Sequence, residues 1–183
     1  MSLSTIQVNG QSFVLYLSKD EIAERIAELA EEVKKHYAGR QPIFLVLLNG
    51  AFVFAADLMR HFEQPGLTRF IKVSSYEDME STGKIEFNRD AIKDLADKDI
   101  LIIEDIIDTG QTLHVFTQYL ESIGVRSVEI ASLLLKPSKL QHEVSARFLG
   151  FSIPDLFVIG YGLDYNEEAR NLDAIYILNP SEV

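Results

Sequence analysis

The densest chemistry in the chain lies in Ile100-Leu101-Ile102-Ile103-Glu104-Asp105-Ile106-Ile107-Asp108-Thr109-Gly110-Gln111-Thr112-Leu113. Ile100–Ile103 reads as a buried strand. It runs into Glu104 and Asp105, then a short loop, then a helical pattern. Thr109-Gly110-Gln111-Thr112 would put backbone N–H groups and two hydroxyls at a helix N-terminus, a ready cradle for phosphate. Gly110 lets the backbone approach an anion closely. The loop is too short for a nucleoside-triphosphatase loop and has no Lys before its Thr. Carboxylates beside a phosphate repel it unless hydroxyls or a divalent cation stand between them. Carboxylates accept hydrogen bonds from hydroxyls and attract hydrated Mg²⁺. The segment therefore points to a sugar phosphate with free hydroxyls, held together with Mg²⁺. Solvated acids with Thr109 as a helix cap would explain any one of these residues, but not all of them in this order.

The elements that must position this loop follow from periodicity. Gln7–Leu17 alternates loosely around Asn9-Gly10, a hairpin signal. Ser18 and Glu21 form a capping box ahead of Ile22, Ile26, Leu29 and Val33, which repeat at helical spacing. That helix should end near Tyr37, with Gly39 as the stop. Ile43–Leu48 is a continuous apolar run, typical of a strand covered on both faces. After Asn49-Gly50, Ala51–His61 reads as a helix with Phe52, Ala55, Ala56 and Met59 inward. Thr68–Ser75 is a second strand, and Tyr76–Lys84 is a polar, mobile loop. Ile100–Ile103 is a third strand. Leu113, Phe116, Leu120 and Ile123 mark a helix stopped by Gly124. Ser127–Leu135, Leu156–Ile159 and Ala174–Leu178 complete the strands. Alternating strands and helices predict an α/β fold with crossover connections. Ligands of such sheets bind beyond the carboxyl ends of the strands.

Composition narrows the classes. With 183 residues, the chain suits one well-buried core, read as a single domain over 1–183. A net charge of −11 repels nucleic acid and anionic lipid at long range, so neither is expected as a partner. There is no cysteine, hence no disulfide or thiolate metal site. The N-terminus carries no basic, apolar leader pattern and no apolar run approaches a membrane span, so a cytoplasmic location is expected. His36, His61, His114 and His142 are scattered and suggest no catalytic or metal-binding set.

The acidic run resembles the signature that binds 5-phosphoribosyl-1-pyrophosphate (PRPP) in type I phosphoribosyltransferases, in the form found in the hypoxanthine-guanine branch. The resemblance extends from about Ile43 to Leu178. It includes Leu48-Asn49-Gly50-Ala51, Ser75-Tyr76, Lys136 and the block Phe157–Arg170. It implies a mainly parallel central sheet flanked by helices, with a small hood and a flexible loop. It also implies a purine salvage enzyme that joins hypoxanthine or guanine to PRPP, giving IMP or GMP and pyrophosphate. Mg²⁺ is the implied cofactor, and a homodimer or homotetramer the implied assembly.

By the same resemblance, Glu104 and Asp105 hold the ribose hydroxyls, partly through Mg²⁺. Asp108, Thr109, Gly110, Gln111 and Thr112 bind the 5′-phosphate, and Asp108 takes or shares the purine N7 proton. Lys136 donates to the purine O6, a match for an oxo group and a mismatch for the amino group of adenine. Phe157 stacks on the purine, and Val158 and Asp164 read its edge. Asp164 also engages Mg²⁺, with Glu104 and Asp105. Leu48, Asn49, Gly50 and Arg170 serve the pyrophosphate, and the Leu48–Asn49 peptide is expected to be cis. Ser75 and Tyr76 belong to the loop that closes the site. The family often has Lys or Arg where this chain has Asn49, so backbone donors must carry more of the pyrophosphate contact.

Two other readings fit parts of the pattern. A regulator that senses PRPP or nucleotide on the same fold would need no turnover. The presence of Asp108, Lys136, Asp164 and Arg170 together weighs against it. A receiver-like phospho-acceptor domain also clusters acids at strand ends, but it has no use for Thr109-Gly110-Gln111-Thr112.

Overall fold

A computed structural model describes residues 5–75 and 85–180. The chain opens with a hairpin of β1 (Thr5–Val8) and β2 (Gln11–Leu17). Asn9 and Gly10 both take positive φ, which a two-residue hairpin turn requires. The capping box is present at the start of α1 (Lys19–His36): the Glu21 N–H donates to Ser18 Oγ at 3.3 Å, and the Ser18 N–H donates to Glu21 Oε2 at 2.9 Å. The remaining elements are β3 (Ile43–Leu48), α2 (Phe52–Arg60), β4 (Thr68–Ser75), β5 (Ile85–Phe87), β6 (Asp99–Ile107), α3 (Gln111–Ser122), β7 (Ser127–Leu135), β8 (Phe148–Ser152), β9 (Val158–Ile159) and β10 (Ile175–Leu178).

The main sheet has the order β5-β4-β3-β6-β7-β8. Its strands pair in parallel except β5, which lies antiparallel on the β4 edge. Phe44, Val46, Leu101 and Ile103 pack with α1 and α2 on one face. Ile43, Leu45, Ile100 and Ile102 pack with Phe116 and Leu120 of α3 on the other. Burial on both faces is why these strands are continuous apolar runs rather than alternating ones. A second, antiparallel sheet, β1-β2-β10-β9, forms the expected hood around Phe13, Ile159 and Tyr176. Among the described residues no helix is long and apolar enough to cross a membrane.

Several boundaries differ from the sequence reading. β6 continues past Ile103 to Ile107, pairing with β7 as far as Ile107↔Leu135. Glu104 and Asp105 are thus strand residues rather than residues that follow the strand. In α2 the buried residues are Phe54, Ala55 and Leu58, while Phe52 is 43% exposed and Ala56 and Met59 are only partly buried. Both stripes of this helix are apolar, so periodicity alone cannot choose between them. The predicted strand Leu156–Ile159 shortens to Val158–Ile159, and the strand from Ala174 begins at Ile175; both belong to the hood. β5 and β8 had no clear signal. β8 contains Gly150, where a Cβ would lie 2.4 Å from the Leu133 carbonyl oxygen, so its glycine serves close strand packing. The predicted loop Tyr76–Lys84 lies outside the described residues.

Candidate active site

The carboxyl ends of β3, β6 and β7 converge with the segment 160–170. At their centre Asp105 sits against the backbone of Gly50. A Cβ on Gly50 would stand 1.5 Å from Asp105 Oδ2, so no side chain fits there while the carboxylate holds its place. Gly162 backs the same loop from the other side: its φ is +100°, and a Cβ there would stand 2.0 Å from the Gly50 carbonyl oxygen. The Leu48–Asn49 peptide bond is cis, as expected. Asn49 is exposed and Leu48 partly buried, at the mouth of a polar cavity of about 140 Å³ that also borders Glu104, Asp105 and Thr112.

Glu104 and Asp105 are close neighbours in a largely desolvated setting. Burial, and then the charge of Asp105, pushes the Glu104 carboxyl well above the usual range. Burial raises Asp105 to about 6, opposed by backbone N–H groups and by the charge of Arg170. The Ile106 N–H donates to Asp105 Oδ1 at 2.8 Å. Both residues keep part of their surface open. The pair suits groups that ease carboxylate charge, either donor hydroxyls or a hydrated divalent cation.

On the other side of Glu104 a cavity of about 90 Å³ is bordered by Asp108, Thr109, Gly110 and Thr112. Gly110 caps α3 with φ +79°, a left-handed conformation that glycine adopts freely. The helix begins with the bond from the His114 N–H to the Gly110 carbonyl. Gly110 and Thr112, at the N-terminal end of α3, border this cavity. The Gln111 N–H also meets Thr109 Oγ1 at 3.4 Å.

Beyond Asp108 lies a cluster of opposite charges. Lys136 is only 7% exposed. Its Nζ lies 3.1 Å from Asp108 Oδ2 and 3.3 Å from Asp155 Oδ1. Lys139 faces the same two carboxylates, 3.4 Å from Asp108 Oδ1 and 3.7 Å from Asp155 Oδ1. Phe157 is not in a strand. It precedes β9, is about half exposed, and leans on Phe13 and Tyr165 with ring centroids 6.3 and 5.6 Å away. Val158 is buried beside it.

The segment 160–170 winds tightly, with positive φ at Gly160, Tyr161, Gly162, Asn166, Glu167 and Ala169. Arg170 is folded into it, donating from Nη1 to the Gly162 carbonyl at 2.9 Å and pairing through Nη2 with Asp164 Oδ1 at 2.7 Å. The other oxygen of Asp164 accepts from the Glu167 N–H. Glu104, Asp105 and Asp164 therefore do not form one ligand cluster. Among the described residues no group of three His, Cys, Asp or Glu side chains is placed to hold a metal. Asp164 is occupied by Arg170, although its charge still reaches Asp105. Of the expected loop pair, Ser75 ends β4 and Tyr76 lies outside the described residues. Asp155, Lys139 and Gly162 escaped the sequence reading. The signals were slight: Lys139 follows Lys136 at helical spacing, and Asp155 stands two residues before Phe157.

The phosphoribosyl transferase domain family matches residues 16–166. The hypoxanthine-guanine phosphoribosyltransferase of Aquifex aeolicus (strain VF5) is 37% identical over 174 residues, 94% of this chain and 98% of the relative. That of Bacillus subtilis (strain 168) is 39% identical over 166 residues, 90% and 92% of the two chains. A hypoxanthine phosphoribosyltransferase structure from Staphylococcus aureus superposes with a TM-score of 0.85 at 38% identity, covering 92% of each chain. A mutant of the Trypanosoma cruzi hypoxanthine phosphoribosyltransferase, solved as a ternary substrates complex, gives 0.83 at 34% identity, covering 91% and 95%.

The raised carboxyls carry a stability consequence. A carboxyl whose pKa is higher folded than unfolded takes up a proton on folding, so its contribution is most favourable at low pH. That contribution is lost as pH rises from the unfolded value, near 4.5, through the folded one. Glu104→Gln should therefore raise the melting temperature of the ligand-free protein by about 2–4 °C at neutral pH. Below the unfolded value the difference should vanish. Calorimetric melting at both pH values checks this.

Proposed function

This chain belongs to the phosphoribosyl transferase domain family, and on that premise we propose that it transfers the 5-phosphoribosyl group of PRPP to N9 of a 6-oxopurine, releasing pyrophosphate. One observation carries the reading. The carboxylate pair, the glycine-capped loop at the start of α3 and a buried lysine held between Asp108 and Asp155 converge at one end of the sheet.

In this proposal Thr109, Gly110, Gln111 and Thr112 hold the 5′-phosphate at the N-terminus of α3, and Glu104 and Asp105 accept from the ribose hydroxyls. The backbone of Leu48, Asn49 and Gly50 faces the pyrophosphate, with Arg170 close behind Gly162. Phe157 offers its open face to the purine, with Val158 and Asp164 at the base edge. Lys136 donates to O6, and Asp108 accepts the N7 proton as the base attacks C1 of the ribose. As pyrophosphate departs, the nearby carboxylates offset the positive charge that develops on the sugar. The desolvated pair Glu104 and Asp105 suits hydrated Mg²⁺, which these two would hold with water and substrate oxygens completing the shell, and Asp164 would lie nearby. When bound, Mg²⁺ supplies positive charge against the pyrophosphate oxygens. Ser75 and Tyr76 would belong to the segment that excludes water. The proposed setting is cytoplasmic purine salvage. A homodimer or homotetramer is the proposed assembly.

The direct test supplies PRPP, Mg²⁺ and hypoxanthine, guanine, xanthine or adenine, and measures nucleotide and pyrophosphate. Hypoxanthine and guanine should yield equimolar products. Turnover of adenine alone would overturn the reading. Asp108→Asn keeps the shape of the loop but cannot accept the N7 proton. It should lower kcat by about 10²–10⁴-fold with little change in the KM for PRPP, as steady-state kinetics would show.

A further inference from the structure

The proposed chemistry asks more of the Lys136–Asp108 pair than two partners can give. Asp108 must turn toward the purine imidazole while Lys136 directs an N–H at O6. Lys136 is 7% exposed. A buried ammonium whose only carboxylate is drawn away is strongly unfavourable.

Asp155 supplies what is missing. It lies in the loop between β8 and β9, away from the phosphate loop, with its Oδ1 3.3 Å from Lys136 Nζ. An ammonium has three N–H groups. One can stay on Asp155, one can meet Asp108, and one remains for O6. Lys139 faces both carboxylates, so the two lysines and two aspartates balance in charge. Asp108 Oδ1 is buried against Lys139 at 3.4 Å while Oδ2 faces Lys136, so each oxygen of Asp108 already faces a cation.

We infer that Asp155 is a positioning residue that anchors Lys136 in the base pocket and thereby sets recognition of the 6-oxo group. This rests on the function proposed above. Asp155 touches no substrate itself; its side chain is 53% exposed and acts through Lys136. A fixed ammonium rewards an oxo group and rejects an amino group. A loosened one does both less well.

The test is steady-state kinetics of the full chain carrying Asp155→Asn or Asp155→Glu, with each substrate varied against saturating partner. Asp155 is half exposed, so its replacement should leave the fold intact, and Asp155→Glu retains the charge. Asp155→Asn should raise the KM for hypoxanthine roughly tenfold while that for PRPP stays within about twofold. The ratio of kcat/KM for hypoxanthine over adenine should fall, and Asp155→Glu should restore most of both effects. An unchanged KM for hypoxanthine would overturn the inference. Equal increases for hypoxanthine and PRPP would also overturn it, because a merely structural role gives that result. A wild-type protein that makes no nucleotide from any 6-oxopurine would instead remove the function on which the inference rests.

Discussion

The carboxylate of Asp105 occupies space that any side chain at position 50 would need, and the carbonyl of Gly50 occupies space that any side chain at 162 would need. Three segments far apart in the chain thus meet backbone to carboxylate to backbone. The end of β6 cannot shift without moving the loop after β3, and that loop cannot shift without moving the turn at Gly162. Arg170 adds a further tie by donating to the Gly162 carbonyl. Close packing makes the arrangement rigid, because gaps and overlaps of even a methyl group are costly in such a setting. The loop after β3, Asn49-Gly50-Ala51, has no cationic side chain of its own. The position of its backbone depends on this stack.

Electrostatics divide the site into two unlike halves. Around Glu104 and Asp105 like charges share a desolvated space, and both carboxyls are shifted upward. That half is stabilised by whatever brings positive charge or donor hydroxyls to it. Around Asp108 the charges are already matched by Lys136 and Lys139. Functional sites commonly hold such unfavourable charge at the expense of stability.

Much of this was legible in the sequence, because the strongest signals were local. The capping box at Ser18 and Glu21, the Asn9-Gly10 turn and the apolar run of β3 each follow from neighbours a few residues apart. The run from Glu104 to Thr112 carried its chemistry within one strand–loop–helix unit. What was hidden depends on distant partners. Nothing near Gly50 announces that Asp105 fills its side-chain space, and nothing near Asp155 announces Lys136. The face of α2 was misjudged because Phe52 and Met59 are as apolar as Phe54 and Leu58; only the sheet beneath decides which stripe is buried. β8 was missed because Gly150 interrupts its pattern, yet that glycine is what lets it lie close to β7.

Gly50→Ala tests the stack most directly. Alanine suits the backbone at this position, where φ is not positive, so only the collision with Asp105 is introduced. With saturating hypoxanthine, kcat/KM for PRPP should fall by about a hundredfold, the scale expected when a binding group is displaced by around an ångström. The melting temperature should change far less than the activity. A variant that kept the wild-type kcat/KM for PRPP would contradict the account, because the carboxylate would then not depend on the glycine backbone for its position.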